Sequence, residues 1–226
     1  MTRKSPRIAL IHATVQAMAP IESAFARHWP QARCMNLLDD SLPADLEHEG
    51  ELTPALVRRF VDLASYAARA GCDGILFTGS AFGPAIDAAA AAVGLPTLKP
   101  NEAMFEMALS SRHLAGTRIG LIATFEPSLP PMSAELLDMA RQRGLNIDLR
   151  TRFVPGAMHD LARGEALSHH QKIAVAACSL PPCDVILLAQ FSMATALPVV
   201  QAELSSPVLS SPDCAVISLK KKMLHD

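Results

Sequence analysis

The sequence predicts an α/β protein with two pseudo-symmetric lobes, each built around a parallel sheet. The first observation behind this prediction is an internal repeat. "RIALI" at Arg7 returns as "RIGLI" at Arg118, and "CDGILFTGSAF" at Cys72 returns as "CDVILLAQFSM" at Cys183, both 111 residues further on. The second observation is that short apolar runs alternate with helical patterns in each copy. Strands separated by helices indicate parallel sheets with right-handed crossovers.

The first copy begins with "IALIHA", an Ile- and Leu-rich run typical of a strand buried on both faces. Pro20 follows near the start of a helix, where its fixed φ and missing N–H are tolerated. Helices are predicted over 21–29 and 54–70, because apolar residues recur there at helical spacing. The copy continues with the strand "ILFT", a helix from Pro84, a strand at Thr97 and a helix from Asn101.

The second copy repeats this order from "IGLIAT" onward. Helices are predicted over 132–143 and 167–178, followed by the strand "ILLA", a helix from about Ser192, a strand at Val208 and a helix from Pro212. We therefore predict two Rossmann-like lobes related by a pseudo-two-fold axis. The first lobe comprises residues 1–100 with 212–226, and the second comprises residues 101–211.

Composition narrows the class of partner. The formal net charge of −2 gives no reason to expect nucleic acid or an anionic membrane surface. The apolar runs are too short for a membrane span. The five cysteines are scattered and odd in number, which favours reduced thiols in the cytoplasm.

No motif indicates a cofactor. The spacing of glycines in "GSAFG" fits neither a dinucleotide-binding fingerprint nor a Walker loop. His169 and His170 lack the spacing of metal ligands, and we predict that they lie on a solvated helix face. The sequence therefore predicts neither a cofactor nor a metal ion.

In open parallel sheets, ligands lie beyond the carboxyl ends of the strands. These ends place six candidate ligand-binding residues, namely Thr78, Gly79 and Ser80 in the first lobe, and Gln190, Phe191 and Ser192 in the second. If the lobes face each other, the repeat pairs Gly79 with Gln190 across a cleft. The helices that follow present free N–H groups, which suit a small carboxylate-bearing molecule.

Several segments carry a resemblance to a known family: "GCDGILFTGSAFGPAID", "KPNEAMFEMAL", "RIGLIATFEPS", "CDVILLAQFSMA" and "PVLSSPDCAV". Together they resemble the aspartate/glutamate/hydantoin racemase superfamily, which includes maleate isomerase and arylmalonate decarboxylase. The resemblance covers nearly the whole chain. It implies cofactor-free proton transfer at the carbon next to a carboxylate, with one cysteine per lobe at the turn after a central strand.

The sequence departs from that pattern at both cysteine positions. The first position is Gly79 and the second is Gln190, so a reaction with two thiols at these turns is not possible. We expect the missing side chain of Gly79 to leave room for a bulkier substituent of the ligand, with its N–H available as a donor.

Three residues remain as candidates for the group that moves a proton. His12 ends the first strand and titrates near neutrality; Glu126 follows the equivalent strand of the second lobe. Cys214 lies in the first turn of a helix, whose field is expected to lower its pKa. The alternatives are a hydrogen-bonded histidine, a solvated loop acid and a small helix residue near the rim.

These observations lead to one expected function and two alternatives. The expected function is proton transfer at the α-carbon of an amino acid or related small acid, as in a racemase. The first alternative is a small-carboxylate binding protein that has lost catalysis, because both motif cysteines are replaced. The second is a decarboxylase of substituted malonates. A homo-oligomer is compatible with all three.

Overall fold

The computed structural model describes residues 5–110 and 117–225. It divides the chain into two compact units, Met1–Pro100 with Pro212–Asp226, and Asn101–Ser211. Each unit contains one four-stranded parallel sheet.

The sheet of the first unit consists of β1 (Arg7–His12), β2 (Arg33–Leu38), β3 (Gly74–Phe77) and β4 (Thr97–Leu98). Its order is β2-β1-β3-β4, and each neighbouring pair is parallel. The central strands β1 and β3 are apolar and almost completely buried. The flanking helices are α1 (Met18–His28), α2 (Leu42–Glu49), α3 (Pro54–Arg69) and α4 (Gly83–Val93).

The sheet of the second unit consists of β5 (Thr117–Ala123), β6 (Ile147–Phe153), β7 (Val185–Leu188) and β8 (Val208–Ser210), in the order β6-β5-β7-β8. Its neighbouring strands are also parallel. Its helices are α5 (Glu102–Ser110), α6 (Leu129–Gln142), α7 (Ala157–Ala162), α8 (Ala166–Cys178) and α9 (Leu197–Ala202).

The last helix, α10 (Ser211–His225), follows β8, and its residues from Pro212 onward belong to the first unit. It packs over β3, where a Cβ on Gly74 would lie 2.7 Å from the sulfur of Met223. Glycine is therefore required at this point of close approach. Within the described ranges, the helices lack the length and apolar character needed to cross a membrane.

The register of the central strands preserves the internal repeat. Ile8 pairs with Gly74 in the first sheet, and Ile119 pairs with Val185 in the second, 111 residues further on. Carboxylates at the start of the strands repeat as well. The backbone N–H of Arg7 donates to Asp73 at 2.7 Å, and that of Arg118 donates to Asp184 at 2.8 Å. The predicted α/β fold with two similar lobes is confirmed.

The repeat is looser in the edge strands, which the sequence did not predict. Arg7 pairs with Arg33 on β2, whereas Arg118 pairs with Asp148 on β6, so the edge partners are 115 residues apart. Both edge strands alternate exposed polar and partly buried residues, and the short helices α2 and α7 that follow them were also missed.

The helix predicted from Ser192 differs in type. A 3-10 segment over Phe191–Ala196 comes first, and the α-helix α9 begins only at Leu197. Pro198 lies at the second position of α9, where its missing N–H is tolerated. The other predicted helices occur with ends within a few residues of those expected.

Candidate functional site at two strand ends

His12 is the last residue of β1, and its side chain is completely buried. Its Nδ1 lies 3.0 Å from Oγ1 of Thr78, the residue that follows β3. Its Nε2 lies 3.0 Å from Oδ1 of Asn36 on β2. Burial lowers the pKa of His12, because a buried imidazolium loses its hydration, although Asn36 and Glu22 act in the opposite direction. The structure thus places both ring nitrogens in hydrogen bonds to the protein.

Gly79 follows Thr78 in an extended conformation with φ of −94°. A Cβ at this position would lie 3.0 Å from Cδ2 of Phe82 and 3.2 Å from Cβ of Ala13. The expectation that the missing side chain leaves room for a ligand substituent is therefore wrong along the Cβ direction. The ring of Phe82, which is fully buried, already occupies this space.

Ser80 and Ser192 lie in the 3-10 segments that follow β3 and β7. Both are buried, at 8% and 3% exposure. In the described ranges we find no hydrogen bond from either hydroxyl to another residue. Phe191, which begins the second segment, is fully buried and belongs to the core of its unit. The two serine hydroxyls are thus available as donors at two equivalent strand ends.

Gln190 is buried and uses its side chain within the second unit. Its Oε1 accepts hydrogen bonds from the backbone N–H of Thr124 at 2.9 Å and from the Thr124 hydroxyl at 3.3 Å. Its Nε2 donates to Oγ of Ser128 at 2.7 Å, and that hydroxyl donates to the carbonyl of Phe125 at 2.6 Å. The structure therefore places a structural brace where a family cysteine was expected.

Each unit has one polar link between its two central strand ends, and the repeat places small residues at the equivalent positions. The counterparts of His12 and Thr78 are Ala123 and Ala189, and those of Thr124, Ser128 and Gln190 are Ala13, Ala17 and Gly79. The similar backbones of the two units therefore carry different side-chain chemistry at this edge.

Glu126 begins a 3-10 segment, Glu126–Ser128, shortly after β5. Its side chain is exposed. Thr124 and Ser128, two residues before and two residues after it, are the residues that Gln190 holds. The brace thus fixes both sides of the turn that presents this carboxylate.

Cys214 is partly exposed in the first turns of α10. Burial raises its pKa, and the neighbouring Asp213 carboxylate raises it further. The expectation that the helix field lowers this pKa is therefore wrong, because desolvation and a negative neighbour outweigh it. Asp213 itself accepts hydrogen bonds from Arg27 at 2.6 Å and His28 at 2.9 Å.

All five cysteines are free thiols, as expected from their number and spacing. Among the residues that the structure describes, no cluster of three or more histidine, cysteine or acidic side chains has a geometry suited to a metal ion.

The prediction that His169 and His170 lie on a solvated face is wrong for His169. This side chain is completely buried on α8, and neither ring nitrogen has a hydrogen-bond partner. Desolvation by burial, helped by His170, lowers the pKa of His169 to about 4. The ring of His170 is only partly buried, and its Nε2 lies 3.0 Å from the hydroxyl of Thr195.

Sequence reasoning missed two residues that position the candidates, Asn36 and Ser128. Asn36 lies on the edge strand β2, which was not predicted, so nothing placed its amide beside His12. Ser128 lies two residues after Glu126 and directly before α6. Its pattern is that of an ordinary helix-start serine, and only the contact with Gln190 shows its role.

The comparison with known proteins agrees with this architecture. Glutamate racemase isoform RacE1 from Bacillus anthracis superposes with a TM-score of 0.76 at 13% identity, covering 99% of this chain and 83% of that chain. The glutamate racemase of Francisella tularensis in complex with D-glutamate gives a TM-score of 0.76 at 10% identity, covering 99% and 82%. Unliganded arylmalonate decarboxylase gives 0.58 at 19% identity, covering 96% and 93%. At these identities the likeness shows the fold.

A search of curated protein sequences found no match. The model of the Asp/Glu/hydantoin racemase family, in contrast, matches residues 8–218, which is nearly the whole chain. The resemblance found in the sequence is thereby confirmed, and the chain belongs to the Asp/Glu/hydantoin racemase family.

Proposed function

We propose that this protein transfers a proton at the carbon next to the carboxylate of a small acid, without a cofactor, and that Glu126 is the group that moves the proton. The family and the location of polar groups at strand ends support the reaction class. Of the three candidate groups, Glu126 is the exposed carboxylate. His12 uses both ring nitrogens inside the protein, and Cys214 has a raised pKa that keeps it protonated.

The observation that carries the proposal is the brace around Glu126. Gln190 bonds to Thr124 on one side of this residue and to Ser128 on the other, so the turn is held at both ends. A general base acts efficiently only when it is held at a defined position relative to the substrate proton. In this proposal the glutamine at the second cysteine position supports the base in a neighbouring turn.

The substrate carboxylate is bound, in this proposal, by the turns Thr78–Gly79–Ser80 and Gln190–Phe191–Ser192. The hydroxyls of Ser80 and Ser192 supply donors, as does the backbone N–H of Gly79. Donors aimed at the carboxylate stabilise the negative charge that develops on it when the neighbouring carbon loses its proton. A racemase with this fold has been solved with D-glutamate, a ligand of the proposed class.

The step is balanced without any co-reactant. The Glu126 carboxylate takes the α-proton, the electron pair of the broken C–H bond passes into the substrate carboxylate, and an enediolate forms. Return of a proton to carbon restores the acid. A protonated Cys214 thiol is a candidate donor for this return, since its pKa is raised. The five free thiols favour the cytoplasm as the compartment.

Proton NMR in deuterium oxide tests the proposal. The purified protein is incubated with amino acids, hydroxy acids and substituted malonates, and the α-proton signal of each is followed. We expect loss of that signal for at least one acid, and loss of activity by at least about a hundredfold in Glu126→Gln. Glu203→Gln, at an exposed position of the second unit, is the matched control. An unchanged rate in Glu126→Gln would remove Glu126 from the proposal.

A second function is favoured by the two strand-end positions themselves. Neither Gly79 nor Gln190 carries a titratable group, and Gln190 is fully engaged in hydrogen bonds. A small-carboxylate binding protein would show affinity for an acid in calorimetry with no exchange of its α-proton. Release of carbon dioxide from a substituted malonate would instead identify a decarboxylase.

A further inference from the structure

Four side chains of the first unit form a continuous hydrogen-bonded chain that ends at the proposed ligand-binding turn. Thr78 Oγ1 lies 3.0 Å from His12 Nδ1, and His12 Nε2 lies 3.0 Å from Asn36 Oδ1. Asn36 Nδ2 donates to Oε1 of Glu22 at 2.8 Å. Thr78 and His12 are buried, whereas Asn36 and Glu22 are exposed. The chain therefore links an exposed carboxylate on α1 to the strand end beside Gly79.

The direction of every hydrogen bond in this chain follows from its outer end. An ionised carboxylate only accepts, so the amide nitrogen of Asn36 must face Glu22 and its oxygen must face His12. His12 then carries its proton on Nε2, and Nδ1 presents a lone pair. Thr78 must donate its hydroxyl proton to that lone pair, since two lone pairs 3.0 Å apart would repel.

Burial supports this assignment. His12 is 0% exposed, and a charged imidazolium there would lose its hydration, so the ring is held in a neutral form with one proton. The carbonyl of Ile11, the other acceptor near the Thr78 hydroxyl, lies at the longer distance of 3.5 Å.

We propose that Glu22, Asn36 and His12 are positioning residues that turn Thr78 into a hydrogen-bond acceptor, so that the strand end selects acids with an N–H or O–H donor on the carbon next to the carboxylate. The single hydroxyl proton of Thr78 is already used, and only its lone pairs remain for a ligand. This corrects the expectation that the Thr78 hydroxyl donates to carboxylate oxygens. The inference rests on the proposed binding of a small acid, but not on its turnover.

The second unit provides no equivalent of this chain. Its residues at the positions of His12 and Thr78 are Ala123 and Ala189. Selection for a donor-bearing ligand is therefore assigned to the first unit alone, and substitutions there test it without touching Glu126.

The first experiment reads the position of the proton directly. Long-range proton–nitrogen NMR on the full chain at pH 7 distinguishes the two neutral tautomers of a histidine, and loss of a signal in His12→Gln assigns it. We expect the Nε2-protonated form. Glu22→Lys reverses the outer end, because an ammonium only donates; Asn36 then turns round and His12 changes to the Nδ1-protonated form. Ser23→Lys, at the neighbouring exposed position, adds the same charge and is the control.

The second experiment measures selection by calorimetry with pairs of acids that share a carbon skeleton: aspartate with succinate, glutamate with glutarate, and malate with succinate. We expect the donor-bearing member of at least one pair to bind about tenfold or more tightly. Thr78→Val, which keeps the shape and removes the acceptor, abolishes this difference, whereas Thr78→Ser retains it.

Three results would overturn the inference. They are an Nδ1-protonated or charged His12 in the unsubstituted protein, an unchanged tautomer in Glu22→Lys, and equal binding of the two members in every pair. The proposed function fails separately, through the absence of α-proton exchange from an acid that binds.

Discussion

The side-chain oxygen of Gln190 accepts a hydrogen bond from the backbone N–H of Thr124 at 2.9 Å, although the two residues are 66 positions apart. His12 and Thr78 are separated by the same 66 positions in the first unit. In both units the link joins the ends of adjacent parallel strands, β5 with β7 and β1 with β3. The same backbone arrangement therefore supports two different polar links at equivalent edges.

Replacement of Gln190 by methionine tests the brace in the second unit. The change keeps most of the volume but leaves the Thr124 N–H and hydroxyl without their acceptor and the Ser128 hydroxyl without its donor. We expect the free energy of unfolding to fall by about 1–3 kcal/mol, as found when buried polar groups lose their partners. Urea unfolding followed by circular dichroism measures this change.

Gln142→Met is the matched control for this prediction, because Gln142 is exposed at the end of α6. It should leave the unfolding midpoint within the error of the unsubstituted protein. If Gln190→Met shifts the midpoint no more than Gln142→Met does, the hydrogen bonds of Gln190 contribute nothing to stability.

The central strands could be predicted from the sequence because their burial on both faces leaves continuous apolar runs. The repeat then placed the second copy, and the observed register of Ile8 with Gly74 and Ile119 with Val185 preserves the shift of 111 residues. The edge strand "RCMNLL" could not be recognised in the same way. Only one of its faces meets protein, so its polar and apolar residues mix as they do in a loop.

The candidate site was predictable as a location but not as a set of contacts. Strand ends identified Thr78, Gly79 and Gln190 from topology alone. Whether Gln190 faces a ligand or Thr124 depends on a rotamer, and the space at Gly79 depends on the ring of Phe82. Both are decided by tertiary packing, which spacing along the chain does not encode.

A side chain at Gly79 must compete with Phe82. Because the added Cβ of Gly79→Ala would lie 3.0 Å from Cδ2 of Phe82 and 3.2 Å from Cβ of Ala13, we expect a loss of about 1–3 kcal/mol of stability from overpacking. Phe82→Leu removes the ring edge that causes the closest contact. The Gly79→Ala substitution should therefore cost less in the Phe82→Leu background than in the original protein.

A double-mutant cycle measures this coupling by urea unfolding of the two single variants and the double variant. Additive losses, with no coupling beyond about 0.5 kcal/mol, would show that Phe82 does not fill the position of the missing side chain. The same cycle indicates whether Gly79→Cys, which would restore a family thiol, also needs a change at residue 82.

The reactivity of Cys214 depends on Asp213. Burial and the adjacent carboxylate raise the pKa of this thiol, so little thiolate is present at pH 7.5 and alkylation by iodoacetamide should be slow. Asp213→Asn removes the negative neighbour and should increase the alkylation rate several-fold. Peptide mass spectrometry resolves Cys214 from the other four cysteines.

Asp62→Asn, at an exposed position of α3, removes the same charge elsewhere and should leave the rate unchanged. Since Asp213 also holds Arg27 and His28, circular dichroism of Asp213→Asn checks that α10 remains folded. Equal rates in the original protein and Asp213→Asn would show that the carboxylate does not control this thiol.

His169 should make the protein sensitive to mild acid. Its pKa is about 4 in the folded protein, against 6.5 for an unhindered histidine, because burial disfavours the charged ring. Between pH 6.5 and pH 4 the unfolded chain therefore binds a proton that the folded chain does not. The free energy of unfolding should fall as the pH decreases through this range and should not depend on this residue above it.

The groups around His169 allow its contribution to be separated. The ring of His170, 5.3 Å away, also has a pKa lowered by burial and acts in the same direction. The Asp160 carboxyl has a pKa lowered by Lys172 and Ser168, so its contribution is lost only at lower pH, below its ordinary value of 3.8. The window between pH 6.5 and pH 4 therefore reports chiefly on the two histidines.

His169→Leu removes a buried group that has no hydrogen-bond partner and replaces it with an apolar side chain. We expect this variant to be at least as stable as the original protein at pH 7 and to lose less stability between pH 6.5 and pH 4. Urea unfolding at several pH values measures both effects, with His48→Gln, at an exposed position of α2, as the control. A pH dependence that is identical in His169→Leu and the original protein would show that His169 becomes protonated in the folded state as readily as in the unfolded chain.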